Sequence, residues 1–199
     1  MTLEFGCVVE GQGDVAAVPI LVRRIVERID PTLSVNTPQP VRVDRGRIGR
    51  AGELERAVSL ALGRVRDGGA LLILLDSDDD CPVTLASELA SRVRVLGRSS
   101  PFAVVAAQCE FEAWFLAAAV SLRGKRGLDP QLTPPPNPEA IRGAKEWIRA
   151  RMPPNRRYSE TTDQAALAAA MDLDAARTAR SFDKFFRDVE SLVLRSRSG

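Results

Sequence analysis

The chain has no histidine. That absence removes the Ser-His-Asp and Cys-His nucleophile systems, imidazole general bases, and the usual histidine-bearing zinc and iron sites. Catalysis is left to carboxylate, lysine, arginine, hydroxyl or bound metal. Cysteine is scarce: Cys7, Cys81 and Cys109 are odd in number and far apart, which suits reduced, buried thiols better than a disulfide frame or a paired-cysteine zinc site. No apolar run reaches the roughly 18 residues that cross a bilayer, and MTLEFGCVVEG shows no basic leader before a long apolar segment. The expectation is a cytoplasmic protein with no membrane partner. Strong charge is also missing, since 28 Lys and Arg face 26 Asp and Glu for a net charge of +2. Any affinity for phosphate must therefore come from local patches.

What is present is enough for one main domain: 199 residues with 45% hydrophobic content can bury a single good core but not two full ones. Leu3 to Val9 reads as a strand, Glu10-Gly11-Gln12-Gly13-Asp14 as a turn, and Val15 to Ile29 as an amphipathic helix. Leu33 to Val43, broken by Pro38 and Pro40, reads as irregular strand near a sheet edge. A glycine and arginine loop, Asp44 to Arg50, leads into a helix outlined by Leu54 through Val65 and stopped by Gly68-Gly69. Ala70 to Leu75 is the most apolar short run and ends in Asp76-Ser77-Asp78-Asp79-Asp80, the pattern of a central parallel strand meeting an acidic loop. Thr84 to Leu96 is helical in pattern, Phe102 to Ala107 a buried strand, and Glu110 to Leu122 a further helix.

Strands alternating with helices predict an α/β fold with a mostly parallel central sheet between helical layers. Residues 1–122 form this α/β domain in the expected organisation. Residues 123–138 form a proline-rich loop, and residues 139–199 a helical C-terminal region packed on the same domain, with helices over Thr162 to Met171 and Ser181 to Leu194 and a frayed tail from Arg195 to Gly199. Ligands of parallel sheets bind beyond the carboxyl ends of the strands. Glu10, Asp76 and the segment Gln108 to Glu112 all follow a predicted strand, so all should reach that edge.

Glu10 with Asp76 and Asp78 makes a candidate metal site. Two carboxylates spaced by one residue can reach one cation from extended backbone. Magnesium prefers such hard oxygens while keeping water and substrate phosphate as further ligands. Converging carboxylates repel one another unless a cation intervenes. The plainer reading, that acidic residues at strand ends are caps and turn-formers, suits Asp79 and Asp80 better.

Val8-Val9-Glu10-Gly11-Gln12-Gly13-Asp14-Val15 resembles the first Toprim motif, and Leu75-Asp76-Ser77-Asp78 its Asp-x-Asp motif. These occur in primases, topoisomerases and overcoming-lysogenization-defect nucleases. The resemblance implies a Toprim-like three-layer Rossmannoid fold, with Glu10 in proton transfer or metal bridging and Asp76 and Asp78 as ligands of Mg2+ (or Mn2+). It further implies a nuclease or related phosphotransfer enzyme acting on nucleic acid, with an ATPase partner in prokaryotic defence. Over nearly its whole length the chain is similar to domain-of-unknown-function family 4276, through Glu10-Gly11, Asp76-x-Asp78, Glu110-x-Glu112-Ala113-Trp114-x-Leu116-Ala117, Tyr158, Asp163 and Ser181-Phe182-x-Lys184-Phe185.

Further candidates carry two readings each. Glu110 and Glu112 either complement a helix dipole or join the metal site. Arg45, Arg47 and Arg50 either wrap phosphate oxygens or form a solvated turn. Arg149, Arg151, Arg156 and Arg157 near Tyr158 read as solvated surface or as a path for a substrate strand, and Lys184 is a further phosphate-neutralising candidate. Gly11 to Ala16 formally fits a dinucleotide fingerprint with Asp44 on the ribose, but Glu10 would set a negative charge beside the pyrophosphate. Asp76-x-Asp78 is also similar to the haloacid-dehalogenase nucleophile motif, which normally sits on a first strand. The rival from another class is a non-catalytic Toprim-like subunit that docks a partner.

Overall fold

A computed structural model describes residues 2–66 and 68–197. Strand β1 (Thr2–Val9) is followed by α1 (Asp14–Ile29), short strands β2 (Ser34–Asn36) and β3 (Val41–Arg42), α2 (Arg45–Ile48) and α3 (Glu53–Leu62). Then come β4 (Ala70–Asp76), α4 (Pro82–Val95), β5 (Phe102–Ala107) and α5 (Ala113–Ala117). All pairings are parallel; the order is β2-β1-β4-β5, with β3 also on β1. The fold is thus α/β with a parallel sheet of five strands. β2 and β3 are both short because Pro38 and Pro40 lie between them and cannot donate to a ladder.

After Ala107 the described residues contain no strand. Helices α6 (Ala144–Arg149), α7 (Ala165–Ala170), α8 (Leu173–Ala176) and α9 (Arg180–Arg197) follow, with a π-helical turn over Glu160–Gln164. Two apolar layers sandwich the sheet. Val8, Leu71, Ile73 and Leu75 face α3 and α4, whereas Cys7, Leu72, Leu74 and Val105 face α1, α5, α7 and α9. On that second side Trp114 meets Phe182 and Phe185 at ring-centroid distances of 5.1 and 5.2 Å, and each fully buried Phe contributes about 1.5–3 kcal/mol. Ser181 Oγ accepts the Trp114 indole N–H at 2.8 Å and the Gln108 amide at 3.1 Å, so the start of α9 is tied to both α5 and the end of β5.

Several expected boundaries move. The glycine and arginine loop contains the one-turn helix α2. α3 stops at Leu62, where the Gly63 amide closes on Ser59 and Ala61 carbonyls, ahead of Gly68-Gly69. The helix expected over Glu110 to Leu122 is α5 plus a 3-10 turn, Ala119–Leu122. The tail expected to fray is helical to Arg197; residues 198 and 199 lie outside the described residues.

Candidate active site

Parallel strands bring Glu10, Asp76 and the segment Gln108 to Glu112 to one rim, just beyond the carboxyl ends of β1, β4 and β5. The exits of β4 and β5 are locked together. Asp78 N–H donates to the Cys109 carbonyl at 3.0 Å, Cys109 N–H to the buried Ser77 Oγ at 3.0 Å, and Phe111 N–H to Asp76 Oδ1 at 2.8 Å. Asp78 and Cys109 both have positive φ, 49° and 58°. Aspartate visits that region readily, whereas for cysteine it is a strained conformation that the surrounding bonds must hold.

Asp76 is the centre of the acidic group. Burial pushes its carboxyl well above the usual range, and Asp14, Glu112 and Glu10 push the same way against the pull of Lys145. Glu10 rises to about 7, first through burial and then through Asp78. Asp14 is buried and likewise raised by burial, although its two oxygens accept Gly11 N–H at 2.8 Å and Gln164 Nε2 at 2.6 Å. Close packing holds this corner: a Cβ on Gly13 would lie 1.8 Å from Gln164 Oε1 and 2.7 Å from the Glu160 carbonyl.

Glu112, 1% exposed, closes the other side. Burial raises it to about 7 even though Lys145 and the Tyr158 hydroxyl oppose the shift. Tyr158, the only tyrosine in the chain, donates to Glu112 Oε1 at 2.9 Å. Lys145 Nζ stands 3.9 Å from Glu112 Oε2 and 3.1 Å from Glu160 Oε1. Burial pulls the lysine down, but Glu112, Asp76 and Glu160 outweigh it, so the ammonium keeps its proton more firmly than usual. Glu110 instead accepts the Lys145 backbone N–H at 3.1 Å, near the start of α6.

The remaining candidates disperse. Asp78 is exposed, with Oδ2 3.8 Å from Arg45 Nε; Arg45 also pairs with Asp80, and Arg142 with Asp79. Arg47 pairs with Glu53 at 2.8 Å, and Arg50 engages Arg92 through its backbone carbonyl at 3.1 Å. Of the three loop arginines, Arg45 alone meets the acidic loop after β4. Lys184 lies along the β5 edge, bonded to Asp188 and the Val104 carbonyl. Arg156 is tied to Asp163 at 3.0 Å and Arg151 stacks on Trp147 at 3.5 Å, while Arg149, Arg156 and Arg157 surround a hollow of about 450 Å³ against Tyr158.

Glu10, Asp76 and Asp78 do not stand as a ready-made sphere of three ligands; no three His, Cys, Asp or Glu side chains do so among the described residues. Two carboxylate oxygens at the rim, Glu10 Oε2 and Glu112 Oε2, are nevertheless buried without a hydrogen bond. Buried acceptors of this kind, flanking a third like-charged carboxylate, are the electrostatic demand that a divalent cation meets. Magnesium commonly takes only one or two carboxylates directly and completes its shell with water and phosphate. The residues present fit it on those terms.

Asp14, Lys145 and Gln164 escaped the sequence reading. In the sequence Asp14 reads as the end of the glycine turn, and neither Lys145 nor Gln164 stands out, since it is the tertiary fold that brings them to the rim. Glu10 lies one residue inside a stretch, residues 9–190, that matches a known family. The chain belongs to the family described as Domain of unknown function (DUF4276). No curated protein and no solved structure matches it. In this DUF4276 chain the match spans β1's last residue through most of α9, so the rim and the helices that complete it belong to one family unit.

Proposed function

We propose that this rim is a Mg2+- or Mn2+-dependent centre for cleaving phosphodiesters of nucleic acid, on a Toprim-like fold. The observation that carries the reading is the pair of buried, unbonded carboxylate oxygens, on Glu10 and Glu112, either side of Asp76. Asp76 and Glu112 would hold the ion, and Asp78 would join them by leaving Arg45. When bound, such an ion supplies charge neutralisation at the phosphate and acidifies water. Glu10 takes the proton from the attacking water: a carboxyl at about 7 is well matched to a general base working near neutral pH. Lys145 balances charge growing on the phosphate oxygens, and Tyr158 keeps Glu112 oriented. Arg45 would meet a neighbouring phosphate on release from Asp78 and Asp80. An ATPase partner in prokaryotic defence, which the Toprim resemblance suggests, belongs to the same proposal.

The test is Mn2+ binding by purified protein, followed by metal-dependent cleavage of single- and double-stranded DNA and RNA. Glu10→Gln should retain cation binding and lower cleavage by about 10²–10⁴-fold, the usual contribution of a general base. A protein that binds no divalent cation while folded, or that binds one and cuts none of these substrates, would remove the catalytic reading.

A further inference from the structure

Among the described residues β5 ends the sheet, with one of its two edges paired. Its bonds to β4 use alternate residues: Leu71 N–H donates to the Pro101 carbonyl and Ser77 N–H to the Ala107 carbonyl, each at 2.9 Å. The intervening residues Phe102, Val104 and Ala106 therefore aim their backbone groups outward. Two contacts agree with that parity. Lys184 Nζ reaches the Val104 carbonyl at 3.2 Å, and Gln108 N–H reaches Ser181 Oγ at 3.1 Å. The N–H groups of Val104 and Ala106 have no hydrogen-bond partner among the described residues.

α4 and α9 flank this edge from opposite faces of the sheet, leave Val104 and Ala106 only 5% and 3% exposed, and border a groove of about 680 Å³ along it. Val104 and Ala106 line it together with Val83, which is 75% exposed on α4. The charges around it do not cancel. Glu139 is spent on the Arg180 and Ser181 amides at 2.8 and 2.9 Å, and Asp188 on Lys184. Arg94, Arg180 and Arg195 are exposed and have no acidic partner among the described residues; Arg94 rests over the Phe102 ring at 5.9 Å.

We infer that this groove is a docking site for an extended acidic segment of a partner protein, which adds to the sheet as a strand beside β5. Outward N–H and C=O groups repeating every second residue are matched by another main chain, the mode of strand addition at an open edge. A compact anion would satisfy the arginines but leave the ladder unpaired. A second copy of β5 would bring its own Arg94, Arg180 and Arg195 against these, an arrangement like charges oppose. The stretch from Phe102 to Gln108 accommodates a segment of about 20 Å, roughly six residues. The entering strand displaces Lys184 from the Val104 carbonyl and offers it a carboxylate instead. Docking here stands independently of any chemistry at the carboxylate rim.

The full-length chain is used to select from a displayed library of random heptapeptides, and the winners are measured as labelled synthetic peptides by fluorescence anisotropy. The expected winners are acidic, rich in β-branched residues and free of proline. Ala106→Pro, which deletes an outward N–H without touching a bond to β4, should weaken them at least tenfold. The double variant Arg94→Glu with Arg195→Glu lies on exposed helix surface and should do the same with an unchanged circular dichroism spectrum, which keeps the test decisive should the proline variant fail to fold. The inference is overturned by an absence of enrichment, by basic or proline-containing winners, or by acidic peptides whose affinity ignores the arginine reversal. It is equally overturned by a concentration-dependent dimer that Ala106→Pro dissolves, since a second copy would then occupy the groove.

Discussion

Two groups of acidic residues lie beyond the carboxyl ends of the strands and behave as opposites. Asp78, Asp79 and Asp80 are exposed and each faces an arginine, Arg45 or Arg142. Glu10, Asp76 and Glu112 are more enclosed; Glu10 and Glu112 both raise the proton affinity of Asp76, with Lys145 opposing at Asp76 and Glu112 and Arg45 opposing at Glu10. Solvent and long side chains settle the first group at little cost, as for most surface pairs. The second retains an unmet demand for positive charge, and that imbalance, more than the number of carboxylates, marks the rim as a site.

The largest effect should come from Asp76→Asn. An amide oxygen can still accept from Phe111 N–H, so the fold survives. Titration should nevertheless show divalent-cation binding lost, and the metal-free protein at pH 8 should melt a few degrees higher because a carboxyl whose proton affinity burial and acidic neighbours raise is gone. A variant that melts lower and still binds the cation would erase the contrast between the two groups. Next, the two glycine turns should differ. Gly13→Ala drives a Cβ into Gln164 and the Glu160 carbonyl and should cost about 1–3 kcal/mol in denaturant unfolding. Gly49→Ala meets nothing within 4 Å and should change little.

Acidity should then separate the groups. Glu10 and Glu112 rise from an ordinary 4.5 to about 7, so between those values the folded chain holds protons that the unfolded chain releases. Metal-free stability should therefore fall as pH rises through that window, by about 2–4 °C for each kcal/mol in a chain of this length. Added Mg2+ should restore it above pH 7. A melting temperature flat across the window would place both carboxyls in ordinary solvent. Smallest of all, Asp79→Asn should shift stability by less than about 0.5 kcal/mol by calorimetry, since its ion pair with Arg142 is fully at the surface.

Short apolar runs make β1, β4 and β5 legible, and the residues following them are legible as the rim because ligands of a parallel sheet bind beyond the carboxyl ends of its strands. Local pattern says nothing about a partner 150 positions away. Gln164 bonds to Asp14 across that separation, and the π-helical turn that presents it, Glu160–Gln164, is shaped against Gly13 rather than by its own sequence. Lys145 was hidden similarly, on a six-residue helix whose pattern signals only surface. The arginine loop carries two readings that spacing alone does not separate. Three arginines in six residues suggest one phosphate grip, yet ion pairs with Asp78, Asp80 and Glu53 send Arg45 and Arg47 to different neighbours.

The hydrogen bond between Asp14 and Gln164 joins the start of α1 to the π-helical turn 150 positions later. During synthesis, Glu10, Asp76 and Glu112 leave the ribosome well before Tyr158 and Gln164 exist. A nascent chain therefore carries the acidic side chains before the groups that orient them, and the rim takes its arrangement only once residues 158 and 164 have emerged.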